Sequence, residues 1–310
     1  MKKVFLVFFM LLYLLEAKEL ITPIPLEVAY DKAKAQLGKK LFSDLRLSAD
    51  DTVSCASCHI LDDGGDDNMQ FSVGIKGQIG PINAPTVFNS RYNIAQFWDG
   101  RAKDLQEQAH GPITNPLEMG ESFKPVVSKL RKDEELVKEF KSIYKEGITP
   151  ETITDAIAQF EKALVTPNAP FDYYLRGDKS YMSQEQIEGY AFFKEYGCIS
   201  CHNGVNIGGN LFQKVGVVKK FKTDVKSLGK YELTGNDEDI NYFKVPTLRN
   251  ISKTAPYFHD GSVYELKNAV KVMFDIQLGV VPTEDEIQKI VSFLKSLEGQ
   301  MPSILNEDKK

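Results

Sequence analysis

Apolar residues recur along much of this chain at the spacing of one helix face. Thr149-Pro150-Glu151 supplies an N-cap and a proline at the first helical position, and Ile153, Ala156, Ile157, Phe160, Ala163 and Leu164 follow in register. Ser183-x-x-Gln186 is a capping box, with Met182 and Ile187 placed to staple it. A second box, Thr283-x-x-Glu286, leads Ile287, Ile290, Val291, Leu294 and Leu297. Leu266, Ala269, Val270, Met273 and Phe274 form a further stripe. Strand-like alternation is rare, so the pattern predicts a mostly α fold. The run LVTPNAPFDYYLRGD (164–178) carries two prolines and breaks the helical pattern. It sets the expected boundary between a first domain, 18–168, and a second, 169–310, whose last helix is free to pack back on the first.

The chain opens on MKK, then VFLVFFMLLYLL, then EAKE. That is a basic n-region, a short apolar core and a small residue, Ala17, at a cleavage point. A membrane span needs about 20 apolar residues. The run is shorter, and Glu16 and Lys18 close it, so a signal peptide over 1–17 is favoured over an uncleaved anchor. The mature protein is then expected in the periplasm, with no transmembrane segment. The formal charge is −5 with no basic block, which argues against nucleic acid as a partner. Only LDDGGDD (61–67) is compositionally biased.

All four cysteines fall in two copies of one pentapeptide, CASCH (Cys55, Cys58, His59) and CISCH (Cys198, Cys201, His202). A C-x-x-C disulfide closes too little chain to be a useful staple. A thiol redox pair needs a thioredoxin-like βαβ setting, which neither site has. Zinc sites place their histidines well away from the cysteines. A histidine abutting the second cysteine is the signal for c-type haem. Two thioether bonds fix the porphyrin edge and the histidine lies under the iron. The sequence therefore predicts two covalent haem c groups, with His59 and His202 as proximal ligands. The lead-ins GKKLFSDLRLS and GYAFFKEYG are alike, which points to an internal repeat of a c-type domain.

The sixth ligand separates electron transfer from chemistry. Met273 is the candidate for the second haem, although a methionine on such a stripe is more often a core residue. For the first haem the candidates are His110, Met69 and Met119. None stands out, so that haem is expected to keep an open face. His259, in APYFHDG, belongs to the second half.

Several long strings resemble those of the bacterial di-haem cytochrome c peroxidases: NAPTVFNSRYNIAQFWDGRAKDLQEQAHGPITNPLEM (83–119), FEKALVTPNAPFDYYLRGD (160–178), VPTLRNISKTAPYFHDGSV (245–263) and VMFDIQLG (272–279). The resemblance covers nearly all of the mature chain. It implies that the His59 haem is the peroxidatic centre, with Glu118 as distal carboxylate and Gln108 as its companion amide. It makes the His202/Met273 haem the centre at which electrons arrive from a small cytochrome c or cupredoxin. Trp98 matches the residue between the haems, and His259 a histidine of the inter-haem network. Asn83, with the carbonyls of Thr254 and Pro256, matches a calcium site, and oxygen donors suit that hard cation. The substrate implied is H2O2, and homodimers are common in the family. Read alone, Glu118 is a solvated loop acid, Trp98 a core aromatic and Asn83 a turn residue.

Two positions depart from the family pattern. Many members carry a histidine in an S-x-G-H-G loop that caps the peroxidatic haem until the other haem is reduced. Here the loop reads Ser72-Val73-Gly74-Ile75-Lys76-Gly77, and isoleucine cannot ligate iron. The arginine usual in G-P-R-N is Ile82. Ile75 leads to the expectation of an enzyme active without reductive activation. Two rivals stand beside the peroxidase. A methylamine-utilisation type maturase carries a tyrosine in place of the distal methionine, and Met273 argues against it. A di-haem electron carrier without enzymatic activity would need two six-coordinate haems.

Overall fold

The computed structural model describes residues 19–306, so the signal segment over 1–17 lies outside the described residues. Helices dominate: α1 Lys32–Phe42, α2 Cys55–Cys58, α3 Leu105–Thr114, α4 Phe123–Leu130, α5 Glu134–Ile143, α6 Pro150–Ala163, α7 Pro170–Leu175, α8 Gln184–Glu195, α9 Tyr231–Thr234, α10 Leu266–Met273 and α11 Glu284–Lys295. The strands β1 Phe212–Lys214 and β2 Tyr242–Lys244 pair antiparallel, with Phe212 opposite Lys244. No helix among the described residues is long and apolar enough to cross a membrane.

The expected caps are present. Thr149, Ser183 and Thr283 each accept from the backbone three residues on, and Thr152, Gln186 and Glu286 reach back to complete the boxes. The 164–178 stretch is less broken than its prolines suggest. Pro170 takes the first position of α7, where its missing N–H costs nothing.

Two apolar clusters organise the molecule. The first runs from Ala35 to Leu164 and also takes in Ile304 near the C-terminus. The second runs from Phe171 to Leu297 and takes in Ile21 near the start. Both are built around the same helix crossing. On α1, Gly38 lies against the Ala156 carbonyl of α6, and Phe42 meets Phe160 edge-on at 5.2 Å. On α8, Gly189 lies against the Lys289 carbonyl of α11, and Phe193 packs on Phe293 at 5.1 Å. A Cβ at either glycine would overlap that carbonyl, so Gly-x-x-x-Phe is the contact that lets each pair close.

A buried ion pair ties the second cluster to the N-terminal segment. Arg249 Nη1 donates to Asp172 Oδ1 at 2.7 Å, both side chains being fully buried. The Arg249 fork also donates to the carbonyls of Thr22 and Val205, and Asp172 accepts from the amides of Ile24 and Ala169. Every nitrogen of the guanidinium and both carboxylate oxygens thus make at least one hydrogen bond, which such a burial requires.

Candidate functional site

The two pentapeptides adopt one local geometry. The His59 amide donates to the Cys55 carbonyl and the His202 amide to that of Cys198, each at 3.0 Å. Each ring packs near the phenylalanine of the helix before it, His59 at 6.4 Å from Phe42 and His202 at 6.5 Å from Phe193. His59 Nδ1 lies 3.2 Å from the Gly65 carbonyl, and His202 Nδ1 lies 3.4 Å from that of Ile207. A proton on Nδ1 satisfies that carbonyl and leaves Nε2 with its lone pair, the form a metal needs. Burial favours the neutral rings: it holds His59 below its usual range and pushes His202 down to about 4.

On the second half, Cys198, Cys201, His202 and Met273 border one cavity of about 420 Å³. Met273 ends α10, and the chain then widens into a π-turn, Phe274–Leu278. Trp98 and His259 line the same cavity, with Asn83, Thr254 and Pro256 beside them. Trp98 Nε1 donates to the Asn83 carbonyl at 2.9 Å, and its ring meets His259 edge-on at 6.2 Å. His259 also stacks on Phe243 at 4.3 Å, and burial keeps its ring below the usual histidine range.

Asn83 donates through Nδ2 to the Met69 carbonyl. The loop 64–66 lies against the Lys253 carbonyl and Thr86, and its Asp66 lines the same cavity, buried with Oδ1 unpartnered. Desolvation raises Asp66 to about 7. Nothing but its place in the acidic loop marks this residue in the sequence.

On the first half, Gln108 and Glu118 lie on α3 and on the turn that follows it. Glu118 is not a solvated loop acid. Burial raises its pKa, while Asn115 Nδ2 donates to Oε1 at 2.7 Å and holds the carboxylate in place. Its charge reaches Cys55 and Cys58. Ile75 is buried in the first cluster, its amide donates to the Glu118 carbonyl at 2.8 Å, and its side chain covers Gly120. The Ile75 loop and the Glu118 turn are therefore one packed unit. His110 is on α3 rather than in a loop, exposed, with its ring 4.8 Å from Phe123. Met69 is exposed and Met119 is buried in the first core.

A second repeat emerges from the geometry. Pro85-Thr86-x-x-Asn89 and Pro246-Thr247-x-x-Asn250 are 161 residues apart, and so are Phe97-Trp98-Asp99-Gly100 and Phe258-His259-Asp260-Gly261. Asn89 and Asn250 share left-handed φ angles of 60° and 59°, and Phe97 and Phe258 share 65° and 71°. Trp98 and His259 are thus counterparts that touch. The Asn83 amide donates to the His259 carbonyl at 2.9 Å, and its counterpart Lys244 donates to the Trp98 carbonyl at 2.8 Å. The same offset pairs Leu105 with Leu266, the first residues of α3 and α10, and so sets Pro112 against Met273. Comparing only the two lead-ins misses this repeat, because the stretch between motif and repeat is 18 residues longer in the second half.

Residues 32–180 match the family described as di-haem cytochrome c peroxidase. The cytochrome c551 peroxidase of Nitrosomonas europaea is 50% identical over 92% of this chain and 86% of its own. That of Pseudomonas aeruginosa is 42% identical over 93% of this chain and 87% of its own. Among solved structures, a MauG-like protein associated with microbial copper homeostasis superimposes with a TM-score of 0.78 at 26% identity, over 91% of this chain and 94% of its own. With both pentapeptides holding their histidines alike and half of the aligned residues shared with a named peroxidase, the chain belongs to the di-haem cytochrome c peroxidase family, oxidoreductases that act on peroxide.

Proposed function

We propose that the mature chain is a periplasmic enzyme of two c-type domains, 18–168 and 169–310, with one covalent haem c in each, that reduces H2O2 to water. Their ends are exchanged, Ile21 packing with the second cluster and Ile304 with the first. The haem reading is supported by paired cysteines beside neutral histidines whose Nδ1 atoms are already engaged. When bound, the two haems would supply the redox chemistry, with electrons arriving singly from a small cytochrome c or cupredoxin at the second site and peroxide being reduced at the first. Such donor encounters bury little surface.

The chain's own residues supply the rest. His59 and His202 would each hold a haem iron through Nε2, and Met273 would supply a further ligand to the second. Glu118 takes a proton from one peroxide oxygen and returns it to the other as it leaves, so that H2O2 + 2e⁻ + 2H⁺ gives 2H2O. Gln108 orients the peroxide and Trp98 bridges the two sites. Burial keeps Glu118 basic enough to accept the proton, and the Asn115 bond keeps it ionised enough to be free for it.

One observation carries this reading. The two halves share a frame, yet where the second presents Met273 to the His202 cavity, the first has Pro112, which cannot ligate, and a buried carboxylate nearby. That asymmetry favours a first haem with an open face, without a capping loop histidine at Ile75. It disfavours a carrier with two closed haems. Met273, together with the greater distance of the MauG-like structure than of the peroxidases, disfavours the maturase.

Asp66, Asn83, Thr254 and Pro256 line one cavity, and the unpartnered Asp66 Oδ1 with oxygens of the other three would fit one calcium ion. The testing experiment is steady-state H2O2 turnover with a reduced small cytochrome c. Turnover is expected from the fully oxidised protein. No turnover with any donor, before or after pre-reduction, would overturn the reading.

A further inference from the structure

Lys244 is an unusual residue for a cavity wall. It sits on β2 and is only 5% exposed. Its backbone is fixed by the bond to the Trp98 carbonyl, and its side chain borders the cavity shared by His202, Met273 and Trp98. The nearest carboxylate, Asp99, is engaged by Arg101 through both oxygens, at 3.1 and 3.0 Å. Among the described residues no hydrogen bond or ion pair reaches the Lys244 ammonium, and buried lysines are almost always paired.

The repeat adds a second, independent observation. Lys244 is the counterpart of Asn83, and the two exchange equivalent backbone bonds across the Trp98–His259 contact. Asn83 stands among the residues that would fit a calcium ion. The second half carries a fixed positive charge at the matching place. Both positions line the one cavity between the Trp98 and His259 turns.

We propose that Lys244 is an anion-binding residue for a carboxylate group of the second haem, and that its ammonium favours the reduced state of that haem. The inference rests on the haem reading above. Reduction of a haem adds one negative charge, so a cation held in a medium of low dielectric favours the reduced form. The pairing also gives Lys244 the partner that its burial demands. By its hydrogen bond to the Trp98 carbonyl, the same strand fixes the charge beside the aromatic that joins the two sites.

The test uses the mature holoprotein and spectroelectrochemical titration of the second haem in wild type, Lys244→Met and Lys244→Arg. At a fixed poise, Lys244→Met is expected to lower the ratio of reduced to oxidised second haem by about tenfold, and Lys244→Arg to stay near wild type. A Lys244→Met ratio within about twofold of wild type would overturn the assignment. If Lys244→Met does not take up haem, Lys244→Gln is titrated against Lys244→Arg. A shift in Gln alone supports the charge, whereas equal shifts or none overturn it. A wild-type protein without a second haem would overturn the haem reading itself, whereas a normal wild-type titration with an unshifted Lys244→Met would overturn only the lysine.

Discussion

The two halves of this chain solve the same packing problem and then part at the site. Each has a glycine that lets one helix rest on another's carbonyl, a phenylalanine four residues on, and a C-x-x-C-H whose histidine leans toward that phenylalanine. Each has a Pro-Thr-x-x-Asn turn and an aromatic-Asp-Gly turn, and the two aromatics meet as Trp98 against His259. Three further differences at matched positions bear on the site. Phe88 is a buried apolar residue where the second half has the buried Arg249–Asp172 pair. Asn83 stands where the second half has Lys244. Pro112 stands where the second half has Met273. A duplicated frame thus carries different side chains at its two sites, which the proposed function reads as one closed and one reactive site, while the helix crossings that hold them stay the same.

The comparison breaks most sharply at Glu118. Replacing it with glutamine keeps size and the Asn115 neighbour but removes the base, so peroxide turnover should fall about 10²–10⁴-fold with the haem spectrum unchanged. Turnover within a few-fold of wild type would mean that the first half's distinguishing carboxylate is not the proton carrier.

Arg249→Ala tests the second half's substitute for Phe88. Leaving Asp172 buried and unpaired should cost about 3–5 kcal/mol, read as a lowered Tm or denaturation midpoint. The four backbone acceptors and donors tied to the pair make the loss larger than for an exposed bridge such as Lys219–Asp275, which should be worth less than about 1 kcal/mol.

Ile75→His places an iron-binding ring on the loop bonded to Glu118. The expected outcome is a low-spin first haem in the oxidised protein and turnover lowered about tenfold until the second haem is reduced. An unchanged spectrum would show that this loop does not reach the iron. Chelation of calcium should lower Tm, and Asp66→Asn should weaken calcium binding by about 10–100-fold, measured by calorimetry. The smallest effect concerns pH. Burial already raises Glu118, so activity should fall on the acid side at a higher pH than for an ordinary glutamate. Asn115 favours the ionised form, so Asn115→Leu should move that acid limb to still higher pH.

Much of this was legible in the sequence, and the reasons are local. Capping boxes at Thr149, Ser183 and Thr283 act within one helical turn, so their spacing alone predicts them. The C-x-x-C-H motifs likewise carry their geometry in five residues. Met273 was legible as one member of a stripe, and Leu266, Ala269 and Val270 of that stripe line the cavity with it, whereas the π-turn that follows was announced by no periodicity. Pro170 looked like a breaker and instead opens a helix, because a proline's effect depends on whether it falls at the first position or inside. Asp66 and Lys244 were not legible. Their character comes from burial without a partner, and burial is set by segments far apart in the chain.

The central claim is that the first haem is open and the second closed. Low-temperature magnetic circular dichroism of the fully oxidised protein tests it directly. One high-spin haem beside one low-spin His/Met haem is the predicted result. Two low-spin six-coordinate haems would contradict it.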